Sequence, residues 1–124
     1  MNSTLAQKDK KLTKKTIQLI YKTGQKIYNK SFILIWKLEN ENHKSKMLIS
    51  IPKRNIKTAV DRNYIKRIIK EVYRENKNDI LKITSKSISF ILIYNKTVKP
   101  EFNKLKVELL TLFQILKERI NENN

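Results

Sequence analysis

Five residues of this 124-residue chain are arginine, and four of them, Arg54, Arg62, Arg67 and Arg74, fall between Lys53 and Arg74. A guanidinium is a planar fork that grips a phosphate bidentately, which the single ammonium of lysine cannot do. Elsewhere, Arg119 apart, the chain supplies its positive charge as lysine, and its wealth of Lys, Ile and Asn is the bias an A/T-rich genome imposes. Clustered arginines are therefore a more specific sign of phosphate recognition than the net charge of +17 and pI near 10.1. Between positions 53 and 74 eight residues are Lys or Arg, against two acids, Asp61 and Glu71. Asn63 adds an amide that could hydrogen-bond a phosphate or a ribose 2′-hydroxyl.

Side chains for covalent or acid–base chemistry are not arranged for it. The single histidine, His43, stands in a polar loop with no evident partner and reads as a surface residue. The chain has no cysteine, which excludes a disulfide framework, a thiolate metal site and a cysteine nucleophile. Asp61 and Glu71 lie too far apart on one helix to pair, and Glu39 and Glu41 sit in a turn. No two-metal carboxylate cluster or Ser-His-Asp pattern follows. A single glycine, Gly24, leaves no glycine-rich loop to cradle phosphates. The chain reads as one that binds a polyanion and does no chemistry with its own side chains. Unpaired bases could stack on Tyr21, Phe32, Trp36, Tyr64 or Tyr73. Of these, the strand residues Phe32 and Trp36 read as core, and Tyr21, ending a helix, as exposed.

The elements that would position these groups follow from periodicity. Leu12, Ile17, Ile20 and Tyr21 give a short amphipathic helix stopped at Gly24, where a left-handed C-terminal residue would be wanted. SFILIWKL, residues 31–38, reads as a strand covered on both faces. KMLISIP, residues 46–52, reads as a second strand, its antiparallel hairpin partner, ended by Pro52. From about Lys57 the basic stretch forms a helix: Arg62, Lys66, Lys70 and Arg74 step around one face, flanked by Asn63 and Arg67. Ile65, Ile68, Ile69 and Val72 take the opposite, buried arc. Residues 75–86 read as polar and irregular, and SISFILIY, residues 87–94, as a third strand, placed to run parallel to the second. Pro100 and Glu101 suit the first turn of a last helix, with Phe102, Leu105, Leu109, Leu112, Phe113, Leu116 and Ile120 on its apolar face.

The order α-β-β-α-β-α gives a two-layer α/β (α+β) sandwich with helices packed on a small central sheet. The length suits one domain, read as residues 12–120 between a flexible basic N-terminus (1–11) and a short tail (121–124). The longest apolar runs, 32–36 and 91–94, are too short to span a bilayer, and the basic N-terminus lacks the apolar core of a secretory signal. A cytoplasmic protein is expected.

Residues 50–74, SIPKRNIKTAVDRNYIKRIIKEVYR, resemble the signature of the bacterial ribonuclease P protein family, in which a strand ends in a Lys-rich turn before Ala-Val-x-Arg-Asn-Arg-x-Lys-Arg opens a basic helix. Here the motif stands as Ala59-Val60-Asp61-Arg62-Asn63-Tyr64-Ile65-Lys66-Arg67. The helix start, lone glycine and apolar strand of Leu12 through Leu38 are similar too, so the resemblance covers about residues 11–118. It implies a left-handed β-α-β crossover, as in the ribosomal protein S5 domain 2-like fold, although strand–helix–strand physics alone favours a right-handed one. It implies a small protein partner of a catalytic RNA, the two together removing the 5′ leader of precursor tRNA with Mg²⁺ held mainly by the RNA. Lys53, Arg54, Arg62, Asn63, Lys66, Arg67, Lys70 and Arg74 would meet the RNA. A cleft lined by Ile17, Tyr21 and Ile35 would receive the single-stranded leader. No membrane and no obligate protein partner are implied.

The sequence departs from the family in three places. Tyr64 replaces the second Arg of Arg-Asn-Arg, the turn at 55–58 lacks the usual Gly-Asn and is one residue longer, and Ile17 and Ile35 stand where aromatics are common. Two rival readings are a ribosomal or other structured-RNA-binding protein of similar fold, and a membrane-surface protein laying the basic helix on anionic lipid.

Overall fold

The structure is a computed structural model, and it describes residues 13–39 and 45–122. Leu12, Glu41, His43 and the N-terminal segment 1–11 lie outside the described residues. The elements are α1 (Lys14–Thr23), β1 (Gln25–Tyr28), β2 (Phe32–Glu39), β3 (Lys46–Ser50), α2 (Ala59–Leu81), β4 (Ser87–Tyr94) and α3 (Phe102–Glu122). Thr13 caps α1 by accepting from the Thr16 amide at 3.1 Å, and Thr58 caps α2 by accepting from the Asp61 amide at 3.3 Å.

The four strands form one mixed sheet in the order β1-β2-β4-β3. β2 and β4 pair antiparallel along their full length, Phe32 opposite Tyr94 through Glu39 opposite Ser87. The expected hairpin between β2 and β3 does not form: β4 lies between them and pairs with β3 in parallel. Burial explains the order. Every residue of β4 except Ile93 is buried, so it needs a neighbour on each edge, whereas all five residues of β3 are only half buried and suit an edge. The parallel pair expected between the second and third sequence strands is therefore present, with α2 as its crossover.

One strand was not expected. β1 forms a hairpin with β2, closed by Asn29, whose Oδ1 accepts from the Ser31 and Phe32 amides at 3.3 and 3.2 Å. The Asn29 amide group also donates to the Glu108 carbonyl at 3.0 Å, tying the turn to α3. α2 is longer than expected. Residues 75–81 continue it, with no Gly or Pro to interrupt it and with Ile80 fully buried. Pro100 precedes α3 rather than opening it; Glu101 caps that helix, its Oε1 accepting from the Asn103 amide at 2.9 Å.

Alternation along the strands divides the apolar residues between two faces. Leu34, Trp36, Phe90 and Leu92 join Ile65, Ile69 and Val72 of α2 and Leu109, Leu112 and Phe113 of α3 in the main core. Tyr73 bridges these layers, its ring 5.4 Å from that of Phe90 and 5.8 Å from that of Phe113. On the opposite face Ile20 of α1 covers Ile35 and Ile91 in a smaller cluster. Gly24 sets how closely α1 approaches. Its φ of −73° is ordinary, so the expected left-handed conformation is not the reason for glycine. A Cβ there would lie 2.6 Å from the Ile20 carbonyl oxygen and 2.8 Å from Cγ2 of Ile35, so the position is glycine for want of space.

Candidate nucleic-acid interface

The loop before α2 is folded by hydrogen bonds in place of a glycine turn. The Pro52 carbonyl accepts from the Asn55 and Ile56 amides at 3.0 and 3.1 Å, and the Asn55 side chain donates to the Tyr94 carbonyl at 3.3 Å. Ile56 drops into the main core, 4 % exposed. Arg62 finishes the structure by donating from Nη1 to the Ile56 and Lys57 carbonyls at 2.8 and 2.9 Å. One arm of its fork therefore braces the loop that presents Lys53, Arg54 and Lys57, all exposed.

Along α2, Asn63, Arg67, Lys70 and Arg74 are exposed and share one stripe, with Lys66 half buried on its flank beside Arg62. Ile65, Ile68, Ile69 and Val72 are buried beneath, so the apolar arc that a membrane-surface reading needs free belongs to the core. Arg67, Lys70, Glu71 and Arg74 line a shallow depression of about 370 Å³. Glu71 meets Arg74 only at 4.0 Å with both side chains largely solvated, which leaves the arginine its fork for a ligand. An exposed stripe of guanidinium and ammonium groups on one helix is geometry suited to successive phosphates.

Tyr64 is no free stacking group. Its hydroxyl donates to the Pro100 carbonyl at 3.4 Å, and the Lys99 ammonium lies 4.7 Å from the ring centroid. Lys99 also meets Asp61 at 3.5 Å. Phe32 and Trp36 are core, as read from the sequence, and Tyr73, half buried, packs against it; Tyr21 is 44 % exposed.

The residues read as a cleft are separated by depth. Ile17 is half buried, Tyr21 stands in solvent, and Ile35, at 2 % exposure, is floor beneath Ile20. α1 is about 15 Å long and cannot cover strands of about 27 Å. The uncovered surface is supplied by Ile33, Leu48 and Ile93, half buried around the smaller cluster and not singled out by sequence reasoning. Strand alternation was the available signal, since Ile33 and Ile35 must face the same way. Among the described residues no group of three or more His, Asp or Glu side chains could hold a metal ion, and no helix is long and apolar enough to cross a membrane.

Residues 5–117 match the sequence model of the Ribonuclease P family. A ribonuclease P protein component of Coxiella burnetii is 32% identical over 94 residues, 73% of this chain and 76% of that protein. One of Macrococcus caseolyticus is 42% identical over 65 residues, a match spanning 52% of this chain and 56% of the relative. In three dimensions a mutant RNase P protein of Staphylococcus aureus superposes with a TM-score of 0.76 at 25% identity, covering 94% of each chain.

Proposed function

This chain belongs to the ribonuclease P protein family, and from that premise we propose that it is the subunit that binds the catalytic RNA and the 5′ leader of precursor tRNA, promoting endonucleolytic removal of the leader. The observation that carries the reading is the exposed stripe Asn63, Arg67, Lys70 and Arg74 on a helix whose other side is sealed in the core. Phosphate contacts from such a stripe position an RNA without reading its sequence, which suits a protein that meets one structured RNA and many substrates. Lys53, Arg54 and Lys66 extend the contact to its flanks, and Arg62 both holds the loop and borders the RNA.

Hydrolysis in this reading is supplied by Mg²⁺ held mainly on the RNA subunit, and the protein contributes binding. The sheet face beside α1, with Ile17 and Tyr21 at its rim and Ile35 supporting it from beneath Ile20, takes the single-stranded leader. The working compartment is the cytoplasm, where precursor tRNA is made.

Single-turnover cleavage of a precursor tRNA by a bacterial ribonuclease P RNA at low Mg²⁺, with and without the protein, tests the proposal. Stimulation that grows with leader length is expected. RNA binding without stimulation would reduce the protein to a structured-RNA-binding module, and cleavage by the protein alone would overturn the division of labour.

A further inference from the structure

We infer that Tyr28 is a stacking platform for an unpaired base of the leader, an inference that rests on the ribonuclease P reading and adds a residue outside the α1 cleft. Tyr28 is 65 % exposed at the end of β1, opposite Ile33 of β2. Its neighbour Ile27 enters the main core, so Tyr28 stands on the other face, the one α1 partly covers.

Strand register then places Tyr28 at the end of a row crossing the whole sheet: Tyr28, Ile33, Ile93, Ser50. The next row, through Ile35 and Ile91, is sealed by Ile20, both residues being at most 2 % exposed. Ile33 and Ile93 stay half buried, so an apolar shelf continues past α1 to an aromatic edge. Lys26, beside Ile35 in register, and Lys37 and Lys46, on either side of Ser89, put ammonium groups on the same face. Rings and apolar surface for base faces, with cations spaced for the backbone, are the chemistry that holds a single strand. A duplex would offer this shelf phosphates and no free base faces. A second copy of the chain is disfavoured as occupant by the net charge of +17 on each molecule. Among the described aromatics only Tyr21 and Tyr28 combine this face with exposure, so they bracket the path of the strand.

The test uses the complete protein with a bacterial ribonuclease P RNA, and precursor tRNAs carrying either no leader or one of about ten nucleotides, long enough to cross a site on the scale of a single small domain. Tyr28→Ala is expected to weaken binding of the long-leader substrate about 5- to 150-fold, the range for losing one base–aromatic stack. Tyr28→Phe should bind as wild type, and the leaderless RNA should not distinguish the variants. With wild-type protein, an abasic site at one leader position should reproduce the loss, and Tyr28→Ala should add nothing to it. If Tyr28→Ala binds the long leader normally while Tyr21→Ala does not, the leader runs beside α1 alone and the inference fails with the proposed function intact. Equal losses with and without a leader would assign Tyr28 to the fold or the RNA subunit and also overturn it. No dependence on leader length in the wild type would instead remove the leader-binding part of the proposed function.

Discussion

Lys99 sets its ammonium 4.7 Å from the centroid of the Tyr64 ring while its charge meets Asp61 at 3.5 Å. The position where the family motif carries a second arginine is thus covered by a cation delivered from the β4–α3 connection. The ring also holds that connection directly through the Pro100 carbonyl. Tyr64→Ala should cost about 1–2 kcal/mol, combining a surface cation–π contact with lost ring packing. Lys99→Ala should cost less than about 1 kcal/mol because its ion pair is solvated. Urea unfolding of both single variants and the double variant measures the coupling, and strictly additive losses would show that the two side chains do not act together. Tyr64→Arg should be less stable than wild type, because it sets two cations together, yet raise the salt slope of RNA-subunit binding by about one phosphate contact.

Arg62 and Arg67 separate two roles that the sequence presents as one. Arg67→Ala should leave stability within about 0.5 kcal/mol of wild type, as for other exposed positions, and lower the salt slope of RNA binding by about one. Arg62→Ala should in addition lose about 1.5–3 kcal/mol of stability, since the Ile56 and Lys57 carbonyls lose a charged donor. Equal stability of the two variants would refute the bracing role of Arg62.

The arginine cluster was legible because residue type stood out against a lysine-rich background, and the sealed arc of α2 because helical periodicity is strong there. The bracing by Arg62 was not, because its acceptors are backbone carbonyls five and six residues earlier whose direction depends on how the loop folds. β1 escaped notice because only Ile27 of its four residues is buried and its turn is made by Asn29 without glycine. The β2–β3 hairpin was read from adjacency in sequence, whereas the total burial of β4 decides which strands are neighbours. Ile35 could be assigned to the face of α1 but not to a depth, which depends on how closely Gly24 lets that helix approach.

Gly24→Ala tests that approach. The added methyl would press on the Ile20 carbonyl and on Ile35, both of which belong to fully packed surroundings. A loss of about 1–3 kcal/mol is expected from overpacking, together with weaker stimulation of leader-bearing substrates as α1 is pushed off the sheet. Calorimetric melting and the single-turnover assay read the two effects. Unchanged stability would mean that α1 yields without cost and that spacing is not what fixes glycine here.

Alkaline pH should reveal two phenols of the core region, the buried Tyr94 and the half-buried Tyr73. Burial pushes the pKa of Tyr73 above its ordinary 10.0; burial first, and then the Glu108 carboxylate, do the same for Tyr94. Well below pH 10.0 both phenols are protonated in the folded and the unfolded chain, and they add no pH dependence. Above it the unfolded chain releases these protons first, so the unfolded state gains and stability falls as pH rises toward the folded-state values. Tyr73→Phe removes one such proton and should flatten the fall in urea-unfolding free energy above that point. Tyr94→Phe should flatten it as well, from a lower starting stability, because its hydroxyl no longer donates to the Val98 carbonyl at 2.8 Å. Lysine titration over the same range is common to every variant and drops out of the comparison. Slopes identical to wild type in both variants would mean that neither phenol is the group whose ionisation loosens the core.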